Sequence, residues 1–424
     1  MNTMHSAHCL RHFRLVAVSV ALSLTVPLVT RCSSNNPTGP NTPTPAGVTI
    51  APGDTALPQG GAIQFRAAVV DSSGKTISSI LPTLTSSDTT VVRVSQTGAA
   101  HTGSHLGNAI VTASLERLAG ADTIVLTAMA NVTVTDSSIL IRLPASGGPL
   151  GVTVGPAGVG YVTLDQNSQV ARFNLVTSQL ATTIAVGSLP SYITTNSTGT
   201  KAFVANQYAD NVGVIDASTN LQSTAISVHG DPLPVAVSVH DSILFTNTNA
   251  NYLWKIGLAS GTVLDSLALP ATSHHLLVHP NDTLVYVATR DGGSVLEVNW
   301  RTMAVARTFT LGGRTQGMAL SPDTHELYVA NELSSVLHVI NLTTGTVAAS
   351  VPLAGGGEGL ALNADGTKLY VGLVFNGGVQ VIDRAGRTVL KTINTGGTPR
   401  EIAVDAPRQR MIVANEAGWV DFLR

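Results

Sequence analysis

The residues best equipped for chemistry lie in the second half of the chain. His274, His275 and His279 fall close together, Glu358 stands alone, and Arg400 adjoins Glu401. Imidazoles and carboxylates move protons or bind metals, and a guanidinium pairs with carboxylates. Along a strand, neighbours such as His274 and His275 point to opposite sides. His275 and His279 share a side but lie about 13 Å apart at ~3.3 Å per residue. One zinc holds each ligand at about 2 Å, so this run alone cannot chelate it, and no metal or cofactor is expected. An ion shared between distant segments, using Glu358 or Glu401, is the remaining metal alternative. No G-x-S-x-G elbow and no H-E-x-x-H run occurs, so neither signature hydrolase is supported. Gly74-Lys75-Thr76 lacks the upstream glycine of a phosphate loop, with Val69 in its place, and reads as a hairpin turn.

The elements that position these residues are written in a repeat. GYVTL, AFVAN, LFTNT, VYVAT, LYVAN, LYVGL and MIVAN follow one another with their second residues at Tyr161, Phe203, Phe245, Tyr286, Tyr328, Tyr370 and Ile412. The intervals are 42, 42, 41, 42, 42 and 42 residues. Each copy begins with a short apolar strand (GMALSP, EIAVD), often followed by a hairpin turn such as ADGTK. The anchor strand comes next, then a polar loop and a third strand (VGVID, VLHVIN, VQVID). A fourth strand (TVAASVPL, TVLKTINT) ends the copy near a Gly-rich turn. Four strands in about 42 residues is the pattern of a propeller blade. The last copy stops after its third strand, WVDFL, while SSILIRLPASGGP (137–149) reads as an orphan fourth strand. Pairing Ile139–Leu143 with Val420–Leu423 completes the ring and removes an exposed edge. The prediction is an all-β chain with a seven-bladed β-propeller at 137–424, its last blade closed by the N-terminal strand.

That register selects candidate ligand-binding residues. The turn before a blade's innermost strand and the loop after its second strand open on one face, around the central channel. Positions eleven and twelve before each anchor give Ser191, Tyr192, His274, His275, Gln316, Glu358, Arg400 and Glu401. The loops after the second strand add Asp210, Arg290, Asp291, Glu332 and Glu416. In a chain only 11% charged, so many polar side chains at one mouth suggest a ligand site, set against ordinary solvation of turns. Asn206, Asn331 and Asn415 end the second strand and are expected to hydrogen-bond the turn that follows it. The tryptophans Trp254, Trp300 and Trp419 occupy unrelated repeat positions; they do not form the repeated docking set of quinone-dependent propeller dehydrogenases, and Trp254 and Trp300 are expected to pack between blades.

Upstream, VTIAP, AIQFRAAVVD, TVVRVS, AIVTASL and ANVTVT alternate with period two between turn signals at Gly60-Gly61, Ser73-Gly74 and Gly107-Asn108. This predicts a β-sandwich over 46–136. Residues 1–31 read as a signal peptide: Arg11 and Arg14 precede an uncharged run from Leu15 to Val29, short of the ~20 residues that span a bilayer. The 32–45 stretch, rich in Pro, Asn and Thr, predicts a flexible linker. The only cysteines are Cys9 and Cys32, so the folded domains can hold no disulfide. With 23 Lys and Arg against 25 Asp and Glu, scattered singly, no basic surface for nucleic acid is expected.

The LYVAN and VID phrases, with Gly396 to Pro399 before a first strand, resemble the YVTN (YncE-like) β-propeller repeat family over about 138–424. The QGGAIQFRAAVVDSSGKTI, TSSDTTVVRVSQTG and GNAIVTAS runs resemble the bacterial immunoglobulin-like domain of group 2, with Leu84 where that family usually has Trp. Cys32, followed by Ser33 and Ser34, resembles a bacterial lipoprotein start, preceded here by Arg31 where that family has a small residue. Lipidation at Cys32 and ordinary cleavage to a soluble form both stay open. The resemblances imply an exported periplasmic, outer-membrane or cell-surface protein that binds an envelope protein, glycan or cell-wall polymer and carries no assigned reaction. The alternatives are a lactonase- or dehydrogenase-like propeller enzyme using the mouth's carboxylates and histidines, and a purely structural surface protein.

Overall fold

The computed structural model describes residues 43–424 except 104, 120 and 121. The leader, Cys32 and most of the predicted linker lie outside the described residues.

From residue 139 the chain forms seven four-stranded antiparallel sheets, a propeller-like all-β architecture. Sheets I to VI span 149–185, 190–227, 232–268, 273–310, 315–352 and 357–394. Sheet VII is built from Pro399–Asp405, Arg410–Asn415 and Trp419–Leu423, with Ile139–Pro144 as its fourth member. Within each sheet we label the strands a to d in the order of pairing, a being the strand that opens each copy of the repeat. The a strands touch one another in chain order, and that of sheet VII touches that of sheet I. The ring therefore closes.

The anchors Tyr161, Phe203, Phe245, Tyr286, Tyr328, Tyr370 and Ile412 all sit buried in the b strands. Apolar residues run almost unbroken there because a sheet covered on both faces has no wet side. Trp300 packs into the cluster shared by sheets III and IV, its ring 5.7 Å from that of Phe245. Trp254 is partly buried against the cluster shared by sheets II and III.

The Gly-Gly turns that introduce several a strands have a geometric cause. Asn331 accepts the Arg314 backbone N–H and donates to the Gly312 carbonyl. Asn415 does the same for Thr398 and Gly396. Gly313 and Gly397 have φ of 63° and 57°, and a Cβ at either would fall within 2.4 Å of the asparagine amide oxygen. Each asparagine thus clamps the turn that delivers an a strand to the ring axis.

The first folded region, Gly47–Thr135, holds three sheets around one core that includes Phe65, Leu84, Val92, Val111 and Val132. Four of the five expected strand segments are found as single strands, and the fifth, AIQFRAAVVD, breaks at Phe65 into Ala62–Gln64 and Arg66–Val70, which join different sheets. The structure adds Thr55–Pro58, paired parallel to Val132–Thr135, and corrects one turn signal: Gly107-Asn108 opens the long strand Gly107–Ala119. The tripeptide at Gly74 is a hairpin turn, with the Asp71 carboxylate accepting the backbone N–H groups of Ser73 and Lys75.

The ring closes through strand d of sheet VII, where Ile139 pairs with Leu423 and Leu143 with Val420. At its centre the Arg142 guanidinium donates to both oxygens of Asp421, at 2.7 and 2.9 Å, and to the Thr395 carbonyl at 2.5 Å. Asp421 is fully buried, and the guanidinium also lies 4.4 Å from the centre of the Trp419 ring. Burial pushes the Asp421 carboxyl up, against the opposing pull of Arg142. Arg142→Ala leaves that carboxylate buried without its charge partner, with only the Trp419 indole N–H donating to it, a cost of about 3–5 kcal/mol. Thermal melts should show a large drop in Tm for Arg142→Ala, most of it recovered in the double variant Arg142→Met/Asp421→Leu.

Candidate functional site

The repeat builds two concentric rings of side chains on one face. The second residues of the a strands are Leu150, Ser191, Leu233, His274, Gln316, Glu358 and Arg400. The first residues after the b strands are Asp165, Gln207, Asn249, Arg290, Glu332, Val374 and Glu416. Members of both rings, with Tyr192, line a single open cavity of about 430 Å³. Among the expected residues, Tyr192, His274, Arg290, Gln316, Glu358, Arg400 and Glu416 line it directly.

Ion pairs organise its charged side. Arg400 donates to Glu358 at 2.6 Å and to Glu416 at 2.7 Å, tying sheet VI to sheet VII. Gln316 donates to Glu332 at 2.6 Å, and Arg290 and Arg314 each lie 3.6 Å from the same carboxylate. Asp291 stands one residue further out and pairs with Arg314 at 3.0 Å. Burial opposes the Arg400 charge, but Glu358 and Glu416 outweigh it and hold the guanidinium firmly protonated. Burial raises Glu358, with Arg400 pulling the other way. His274 is pushed down to about 4 by burial and then by Arg290, so it is a neutral imidazole at pH 7. The Tyr192 phenol is held well above its usual range by burial, then by Glu358 and Glu401, and stays protonated.

Several expected residues lie apart from the cavity lining, and two of them meet each other. His275 and Glu401 come from sheets IV and VII, on opposite sides of the ring, yet their side chains approach to 3.9 Å. They meet on the axis. Burial drives His275 down to about 4, and burial followed by the charge of Glu358 drives Glu401 up to about 8. At neutral pH the pair is a neutral imidazole facing a neutral carboxyl, and the His275 Nδ1 is buried without a partner. A base and an acid poised side by side can accept and donate a proton. Among the described residues no group of three or more His, Cys, Asp or Glu is placed to hold a metal ion.

Two neighbouring positions are resolved differently from the sequence register. Ser191 is buried and donates to the Leu233 carbonyl at 2.9 Å, which leaves Tyr192 to face the cavity. Asp210 accepts the backbone N–H groups of Gly230 and Asp231 and belongs to a turn, and Gln207 takes the cavity position in that loop. Asp165 and Asn249 were missed altogether. The signal was available, because each directly follows the anchor strand, as Arg290, Glu332 and Glu416 do.

No protein-family model matches the chain, and no curated protein matches it. Among solved structures the chain is similar to hydrazine synthase of Kuenenia stuttgartiensis, with a TM-score of 0.62 and 15% identity over 67% of this chain and 97% of that one. The likeness is one of fold. It carries no chemistry across.

The axial pair makes stability depend on pH. The folded Glu401 value, about 8, lies above the ordinary carboxylate value, so its stabilising protonated state is complete at low pH and is lost as pH rises toward 8. Glu401→Gln should leave stability near pH 4 almost unchanged and raise it by roughly 3–5 kcal/mol above pH 8. Denaturant melts of both proteins across that range check it.

Proposed function

We propose that this chain is an exported cell-envelope protein in which a seven-bladed β-propeller, carried behind an immunoglobulin-like domain, binds an envelope protein, glycan or cell-wall ligand at its channel mouth. Seven consecutive four-stranded sheets and the closing strand at Ile139 support the blade count. The strand order of the first region, with Leu84 in its core, supports the immunoglobulin-like reading. The observation that carries the function is convergence: polar side chains from all seven sheets, spread over more than two hundred residues of sequence, share one cavity. Solvation alone gives no reason for that convergence, nor for the ion pairs that fix the side chains in place before a ligand arrives.

A second reading, a propeller enzyme acting on a small metabolite in the manner of a lactonase or dehydrogenase, is favoured by one feature. The His275 and Glu401 side chains come within 3.9 Å as a neutral base and a neutral acid. Glu401→Gln separates the two readings, since it removes proton transfer while leaving the mouth intact.

The binding test is a pull-down from envelope extracts with the full chain. His274→Ala and Gln316→Ala together should reduce recovery of a specific partner about tenfold, in protein whose melt shows a cooperative fold even though Gln316 gives up its bond to Glu332. Equal recovery by both proteins removes the mouth from the reading. Arg400 is unsuitable for this purpose, because its loss strands the buried Glu358. Mass spectrometry of the mature N-terminus tests the address: a diacylglyceryl adduct on Cys32 is expected for an anchored protein, and a free thiol there ends the lipoprotein assignment.

A further inference from the structure

The second residue after each b strand forms a third ring, outside the cavity. In three sheets this position carries an exposed apolar side chain: Tyr208 in sheet II, Leu333 in sheet V and Phe375 in sheet VI are 70%, 65% and 62% exposed. Each follows directly on a residue of the loop ring, so all three stand on the face that opens the cavity. Sheets V and VI are neighbours. Gly356 shows how close their loops come: a Cβ there would fall 2.6 Å from the Phe375 ring and 2.8 Å from the Glu332 carbonyl oxygen, next to Leu333. Sheet II lies across the ring from both. Two apolar footholds therefore flank the polar cavity on opposite sides. Large apolar side chains held this far into water at repeat-equivalent positions mark a contact surface.

The cavity between them has an unbalanced charge. The carboxylates of Glu358 and Glu332 are answered by arginines. Asp165 is different. It lines the same cavity, its Oδ1 is buried without a hydrogen-bond partner, and the nearby Glu416 charge opposes its own. After burial, that repulsion is the larger reason why the Asp165 carboxyl rises to about 6, against the weaker pull of the Gln166 backbone N–H and of Arg400. A cationic group entering between Asp165 and Glu416 would relieve both costs.

We infer that the mouth docks a protein segment which lays apolar side chains on Tyr208 and on the Leu333–Phe375 pair and inserts a Lys or Arg side chain into the cavity toward Asp165. This rests on the binding reading above and names its partner class. A neutral glycan would satisfy neither the aliphatic foothold at Leu333 nor the charge of Asp165, whose Oδ1 has no partner.

The test pans the full chain against a displayed library of random linear peptides and measures the affinities of the enriched sequences. Enriched peptides should carry a Lys or Arg with apolar residues on both sides. Tyr208→Ala and Phe375→Ala should each weaken them about tenfold. Asp165→Asn should weaken them severalfold, and replacing the basic residue of the peptide by norleucine should do the same. The three variants alter exposed or unpaired groups, so their melts report that folding is intact. Enrichment without a basic residue, affinities unmoved by the rim variants, or retention of cell-wall glycan fragments in place of any peptide would overturn the inference. If His274→Ala and Gln316→Ala abolish peptide binding while Tyr208, Phe375 and Asp165 variants do not, the mouth reading survives and this one fails. If no variant matters, both fail.

Discussion

A ring of sheets stands or falls with its seam. Six of the seven sheets here are continuous in sequence and hold themselves together by hairpins, but sheet VII joins Ile139–Pro144 to Trp419–Leu423 across nearly the whole repeat array. Backbone pairing alone would allow that strand to slip, and a slip of one residue would turn its apolar face outward. The Arg142–Asp421 pair fixes the register, because a buried carboxylate tolerates only the alignment that supplies its partner. Every a strand keeps its place on the axis only while this seam holds, and the cavity is nothing more than the place where those a strands and the adjoining loops converge.

Within the cavity, electrostatics is arranged in layers. The outer layer is charged and paired, with arginines from sheets IV, V and VII bridging carboxylates of neighbouring loops. The axial layer beneath it is neutral, since burial suppresses ionisation of both His275 and Glu401. The difference follows from access to solvent and to partners. Where an arginine can reach, burial is tolerated with charge; where none can, the groups give up or keep a proton.

The sequence made the repeat, the anchor residues and the closing strand legible because all three are set by spacing, and spacing survives without knowledge of packing. Tyr161 and its six counterparts could be placed in b strands on interval alone. The fine structure of the site was less legible. Every a strand carries a register irregularity near its start, as between Pro190 and Ile193, so counting back from an anchor does not say which of two neighbours faces the cavity. His274 takes the same second-residue place as Gln316, Glu358 and Arg400, whereas Ser191 turns aside to bond the Leu233 carbonyl and Tyr192 faces the cavity instead. The meeting of His275 with Glu401 could not be read at all, since it depends on which sheets face each other across a closed ring. Asp165 escaped notice for a plainer reason: a single carboxylate in a turn looks solvated until its neighbours are known.

The closing strand also has a mechanical meaning. Only a few residues separate Thr135, the last of the first folded region, from Ile139, and the short link is stapled: Lys391 reaches Ser138 at 2.8 Å and Asp136 accepts the Asn394 N–H. Tension applied anywhere upstream must therefore enter the ring at the strand that completes it. A drag on the N-terminal side would load those two staples first and the Arg142 clasp next, which makes the joint that shuts the circle also the fuse that would open it.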